Sequence, residues 1–128
     1  IGIIDTAGQG GTSWARIEAE RAEAQELGDL FGDWGIPTPE SISQVSEVEG
    51  ATVIGSGGLR SGLDVAKALA LGADVAGMAS PFLKAAMESE SAVEEKIGQT
   101  IRELRIAMFC AGARTVSELQ EARIVERG

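Results

Sequence analysis

Residues 56–80 carry the densest chemical signal in the chain. Ser56-Gly57-Gly58-Leu59-Arg60-Ser61-Gly62 leads into an apolar-striped run ending at Leu71, and Gly72-Ala73-Asp74-Val75-Ala76-Gly77-Met78-Ala79-Ser80 follows. This order predicts a strand end, a glycine turn, a helix and a further strand. Two glycines in succession let the backbone approach a ligand closely, because no Cβ stands in the way. The helix opening at Gly62 is expected to point its first amides and its positive dipole end at the same place, which favours an anion. Two consecutive strand ends around such a turn are what the last two units of a (β/α)8 barrel use to hold a phosphate.

The rest of the chain alternates in the same way. Ile1–Ile4 is a continuous apolar run ending at Asp5, as in a strand buried on both faces. Thr6–Thr12 is a glycine-rich loop, and Thr12 or Ser13 is positioned to cap a helix reaching about Leu27. Leu30–Gly35 reads as a connection carrying Phe31 and Trp34. Thr38-Pro39-Glu40 has the form of a helix start, with Thr38 as cap and Pro39 in the first position. Ala51–Ile54 is a second strand, the helix after Gly62 closes at Gly72, and Asp74–Met78 is a third strand. Pro81 opens a short helix. Ser91 and Glu94 have the spacing of a capping box, and a helical stripe of Val93, Ile97, Ile101, Leu104, Met108 and Ala111 follows. Thr115 and Glu118 repeat the box for a last short helix.

The 128 residues are one domain's worth of chain. A net charge of −9 argues against nucleic acid and anionic membrane as partners, so a bound phosphate would be held by local geometry. Cys110 is the one cysteine, which leaves no disulfide framework and points to a reducing compartment such as the cytoplasm; within its apolar-striped helix it is expected to be a small core residue. No stretch is long and apolar enough to span a bilayer, and no signal peptide is visible. Asp29 and Asp33 lack a supporting ligand cluster and read as solvated acids. Lys67 and Lys84 are expected to be exposed, and Trp14 to serve in the core or at an interface. The glycine turn also matches two glycines of a dinucleotide fingerprint, but Arg60 stands where the third belongs.

Three strands alternating with helices predict a parallel α/β sheet, which requires cover on both faces. A barrel closes with about eight strands. The chain therefore reads as the C-terminal part of a (β/α)8 barrel, residues 1–128 forming one portion of a single domain. Self-association is the other way to cover the inward face.

Asp5-Thr6-Ala7-Gly8-Gln9-Gly10-Gly11-Thr12-Ser13-Trp14 resembles the glycine-rich loop of type 2 isopentenyl diphosphate isomerases, an FMN-dependent (β/α)8-barrel family. The same likeness extends to Ser56–Arg60, Gly62–Gly72, Gly77-Met78-Ala79-Ser80-Pro81 and Leu104-Arg105-Ile106-Ala107-Met108-Phe109 with Gly112-Ala113, in family order. The resemblance implies that the strands are the sixth, seventh and eighth of the barrel. It implies that Thr12 contacts FMN, that the amides of Gly58, Leu59 and Arg60 cradle its phosphate with Gly57 in the same turn, and that Ala79 and Ser80 complete the cradle. The competing roles are a helix cap for Thr12, a turn that needs positive φ for the glycines and a structural salt bridge for Arg60.

The implied activity is the interconversion of isopentenyl and dimethylallyl diphosphate in isoprenoid biosynthesis, in the cytoplasm and by a homo-oligomer. Reduced FMN would serve as the acid–base group, with Mg2+ on the substrate diphosphate and NADPH as reductant. The hard chemistry would be the cofactor's. The family's metal-binding glutamate, substrate-binding glutamine and flavin-contacting lysine are expected on an earlier strand, so no catalytic or metal-binding residue is assigned here and the chain alone is expected to be inert. The alternatives are another FMN barrel, such as a 2-hydroxy-acid oxidase, and a non-enzymatic phosphate-binding or assembly module. The oxidases place Gly-Arg where this chain has Ala79-Ser80 and use a histidine; this sequence contains none.

Overall fold

A computed structural model describes residues 2–122 and 124–125. Three strands, β1 (Ile3–Asp5), β2 (Thr52–Gly55) and β3 (Val75–Ala76), form one parallel sheet in the order β1-β2-β3. Ile1, the first residue of the expected strand, lies outside the described residues. Ile3 pairs with Thr52, Asp5 with Ile54, and Ile54 with Val75. β3 is shorter than the Asp74–Met78 expected. Asp74 instead clasps β2, donating its amide to Val53 O (2.9 Å) and accepting the Val53 amide on its carboxylate (2.8 Å).

The seven helices among the described residues are α1 (Trp14–Arg21), α2 (Gln25–Phe31), α3 (Thr38–Ser46), α4 (Gly62–Ala70), α5 (Ser80–Glu88), α6 (Glu90–Ala111) and α7 (Val116–Gln120). The single helix expected from Ser13 to Leu27 is two. Glu23 takes a left-handed backbone (φ 52°), the Ala24 amide reaches back to Ala19 O, and α2 folds against α1 over Ala19 and Gly28. Ser13 is the cap of α1. Thr38 is not a cap: Pro37 holds that position, and Thr38 is the first residue of α3. Ser89, not Ser91, caps α6, because the helix starts two residues earlier and Ser89 Oγ accepts the Ala92 amide. Thr115 caps α7 by accepting the Glu118 amide, as its spacing predicts.

Alternation along the strands divides the sheet into unlike faces. Val53 and Gly55 turn to a core of Ile42 from α3, Leu59, Ala68 from α4 and Ala73. A second cluster joins Ala66 and Leu69 of α4 to Ala113 and to Leu119 of α7. The opposite face is uncovered, with Ile3 64% and Val75 51% exposed. Cys110 is exposed rather than in the core, on a face of α6 that also bares Ile106 and Phe109. No helix among the described residues is long and apolar enough to cross a membrane.

Candidate functional site

The loops leaving the C-terminal ends of the three strands meet. Thr6 donates its amide to Ile54 O, and Gly8 donates to Ser56 O at 2.9 Å. The Thr6 hydroxyl bridges the Ser56 carbonyl and amide (3.2 and 3.1 Å). Asp5 at the end of β1 accepts the Ser56 hydroxyl and the Ala7 amide. On the other side, the Gly77 amide after β3 donates to Gly55 O at 2.9 Å. The glycine turn is thus sewn to both neighbouring strand ends.

Gly57 and Gly58 both have positive φ (109° and 78°). A Cβ on Gly57 would collide with the Gly8 carbonyl, and one on Gly58 with the Gly10 carbonyl. Both requirements select glycine: a backbone that L side chains rarely adopt, and a loop packed where a side chain would stand. Leu59 is 7% exposed, its side chain in the core behind the turn.

A cleft of about 610 Å3 opens between these loops. Thr12, Gly57, Gly58, Leu59, Arg60, Ala79 and Ser80 all line it. With Ser13 as the cap of α1, the Thr12 hydroxyl has no cap to make. Arg60 is exposed and forms no ion pair among the described residues. Trp14 is 72% exposed at the cleft, which removes it from the core. Lys67 and Lys84 are exposed as expected. Asp33 pairs with Arg16 at 3.0 Å, and no group of three or more His, Cys, Asp or Glu is placed to hold a metal among the described residues.

The helix expected to present its amides to an anion does not do so. Asp64 Oδ2 accepts from the amides of Arg60 and Ser61 (both 3.1 Å), Ser61 Oγ accepts the Asp64 amide, and Glu103 Oε2 of α6 takes the Gly62 amide at 2.7 Å. The N-terminus of α4 is therefore filled by the protein's own carboxylates, and the Arg60 amide is spent inside the fold. Partial burial opposes the charge on Asp64. Its hydrogen bonds from Arg60 and Ser61, with help from the Lys67 charge, outweigh that and hold its carboxyl below the ordinary range. Glu103 is likewise lowered, first by the Gly62 amide and then by the Gln99 side-chain amide.

The amides of Gly57, Gly58 and Leu59 have no partner among the described residues. Nor does a side chain cap α5, whose N-terminus lies at the cleft through Ala79 and Ser80. That helix end offers unsatisfied N–H groups and a positive dipole end, as α4 does not. Glycine-turn amides and the N-terminus of a short extra helix are the usual phosphate holders of a (β/α)8 barrel. Asp5, Ser56 and Thr38 shape this site and were not singled out as site residues in the sequence. Asp5 closes an apolar strand run and opens the glycine-rich loop, both visible in the sequence; the partners of Ser56 and Thr38 are 50 and 19 residues away in sequence.

Parallel strands, crossing helices and a cleft at the strands' C-terminal ends define part of an α/β barrel. The family model described as FMN-dependent dehydrogenase matches residues 33–126, and the chain belongs to that family. Its relatives include proteins named isopentenyl-diphosphate delta-isomerase. That of a Nostoc species is 49% identical over 99% of this chain and 37% of its own length, and that of a Synechococcus species is 55% identical over 86% and 33%. That of Halobacterium salinarum is 49% identical over all of this chain and 37% of its own. The chain thus spans little more than a third of the relatives it matches. Among solved structures, a mandelate oxidase superposes with TM-score 0.68 at 27% identity over 94% of this chain and 38% of that one. A lactate oxidase from Pediococcus acidilactici shares the fold, with TM-score 0.66 at 22% identity over 89% of this chain and 34% of that one.

Proposed function

We propose that this chain forms the FMN-phosphate side of an FMN-dependent isomerase that interconverts isopentenyl diphosphate and dimethylallyl diphosphate. The observation that carries the reading is the convergence of Thr12, Gly57–Arg60, Ala79 and Ser80 on one cleft where the amides of Gly57, Gly58 and Leu59 are unspent. The relatives at 45–55% identity support the isomerase over the oxidase alternative, to which the solved oxidases are alike at 22–28%.

The residues fit the group. The amides of Gly57, Gly58 and Leu59, with the open end of α5 at Ala79 and Ser80, would take the phosphate oxygens by charge-assisted hydrogen bonds. Arg60 contributes through its guanidinium, and Ser80 adds a hydroxyl. Thr12, across the cleft on the β1 loop, would reach the flavin with its hydroxyl. Asp5 and Ser56 hold these loops in register without spending the turn amides. When bound, reduced FMN supplies the acid–base function for moving the double bond. Mg2+ on the substrate diphosphate, with its protein ligand outside these 128 residues, and NADPH as reductant belong to the same reading. So do a cytoplasmic location, a homo-oligomer and strands numbered sixth to eighth in the barrel. The chain alone is expected to bind flavin without turning over substrate.

The test is a titration of the chain with FMN, followed by fluorescence quenching, with riboflavin as the phosphate-free control. Saturable binding of FMN that riboflavin does not match is the expected result. A well-folded chain that binds neither, or both equally, overturns the reading.

A further inference from the structure

We infer that Thr38 is a positioning residue that turns the Gly57–Gly58 peptide so that the Gly58 amide faces the FMN phosphate, an inference that rests on the flavin reading above. Thr38 is the first residue of α3, 7% exposed, and its hydroxyl donates to the Gly57 carbonyl at 2.6 Å. The peptide bond is planar and trans, so the Gly57 carbonyl and the Gly58 N–H point in opposite directions. Fixing one fixes the other. The preceding peptide is held by the same logic: the Ser56 carbonyl accepts the Gly8 amide and the Thr6 hydroxyl, which turns the Gly57 N–H away from the β1 loop.

The turn is also a thin wall. Gly57, Gly58 and Leu59 line both the 610 Å3 cleft and a smaller cavity of about 170 Å3 behind it, and Thr38 lines the smaller one. The clamp therefore acts from the side opposite the cleft. Such a clamp is needed because two successive glycines leave the peptide between them free to flip at little conformational cost. A flipped peptide would present the Gly57 oxygen to the phosphate, a repulsive contact in place of an attractive one. Pro37 and Pro39 on either side of Thr38 stiffen the backbone that carries the hydroxyl.

The test compares FMN and riboflavin binding by the full chain and by its Thr38→Val and Thr38→Ser variants. The native chain is expected to prefer FMN. Thr38→Val should cut that preference about tenfold, the effect of one charge-assisted hydrogen bond, and leave riboflavin binding unchanged. Thr38→Ser, which keeps the donor, should restore it. A Thr38→Val chain that keeps its full preference for FMN overturns the inference and leaves the flavin reading standing. A native chain with no preference overturns the flavin reading and this inference with it. A second measurement needs no variant. On adding FMN to the native chain, the Gly58 amide proton should move downfield, while those of Arg60, Ser61 and Gly62, already donated within the fold, hold their positions. A stationary Gly58 amide overturns the inference even where Thr38→Val fails to fold.

Discussion

At the scale of single residues, the site separates positions where the fold admits no side chain from positions whose side chain the fold does not use. Gly58 is of the first kind. Its positive φ and the Gly10 carbonyl against its Cα leave no room for a methyl group. Gly58→Ala is expected to lower unfolding free energy by more than about 1 kcal/mol, since strain and a backbone clash act together. Chemical denaturation of variant and native chain measures this, and an unchanged midpoint would show that the turn relaxes freely. Arg60 is the opposite case. Its side chain is exposed and unpaired among the described residues, so nothing in the fold depends on its charge. Arg60→Gln should leave the denaturation curve in place and weaken FMN binding more at low salt than at high salt, because only the unscreened charge is lost. Equal weakening at both salt concentrations would assign Arg60 a role other than charge.

At the scale of elements, the α4 terminus carries the clearest pH dependence. Asp64 and Glu103 ordinarily titrate near 3.8 and 4.5, and both are held lower in the fold. A depressed carboxyl stabilises the fold fully above its unfolded value and ceases to do so as the pH falls through the folded one. Stability should therefore be insensitive to these groups near neutrality and decline below about pH 4, when the carboxylates release the amides of Arg60, Ser61 and Gly62. Combining Asp64→Asn with Glu103→Gln should flatten that acid limb in a series of melts. An unaltered limb would place the acid sensitivity elsewhere.

The same helix shows what the sequence could and could not tell. The glycine turn, the strand before it and the closing Gly72 were legible because each follows from local chemistry. That the N-terminal amides of α4 are occupied was half legible. Ser61 and Asp64 have capping-box spacing within one turn, but Glu103 arrives from α6, 41 residues away. The α1–α2 break escaped for a related reason. No glycine or proline marks Glu23, and the fold-back is favoured by contact between Ala19 and Gly28, which no single-helix pattern reveals.

At the scale of the molecule, the sheet is finished on one face only. Its inner neighbours Ile42, Val53 and Ala73 are almost wholly enclosed, while Ile3 and Val75 on the other face stand 64% and 51% exposed. Parallel sheets are ordinarily covered on both faces, because water gains nothing by contact with a run of branched aliphatic side chains. The chain spans about 37% of the Nostoc relative, so that protein has ample further sequence with which to cover such a face. The 128 residues taken alone do not. In isolation they are expected to bind a hydrophobic dye such as ANS and to sediment as species larger than the monomer. Replacing Ile3 and Val75 together with threonine should reduce both effects, since threonine keeps the β-branched shape that suits a strand and removes apolar surface. The inner core should be untouched, so the far-ultraviolet circular dichroism of the variant should match the native chain. A native chain that is monomeric and silent towards the dye would mean that the bare face is tolerated in water. Association that persists in the double variant would move its origin to the apolar side of α6, where Ile106 and Phe109 are 63% and 86% exposed.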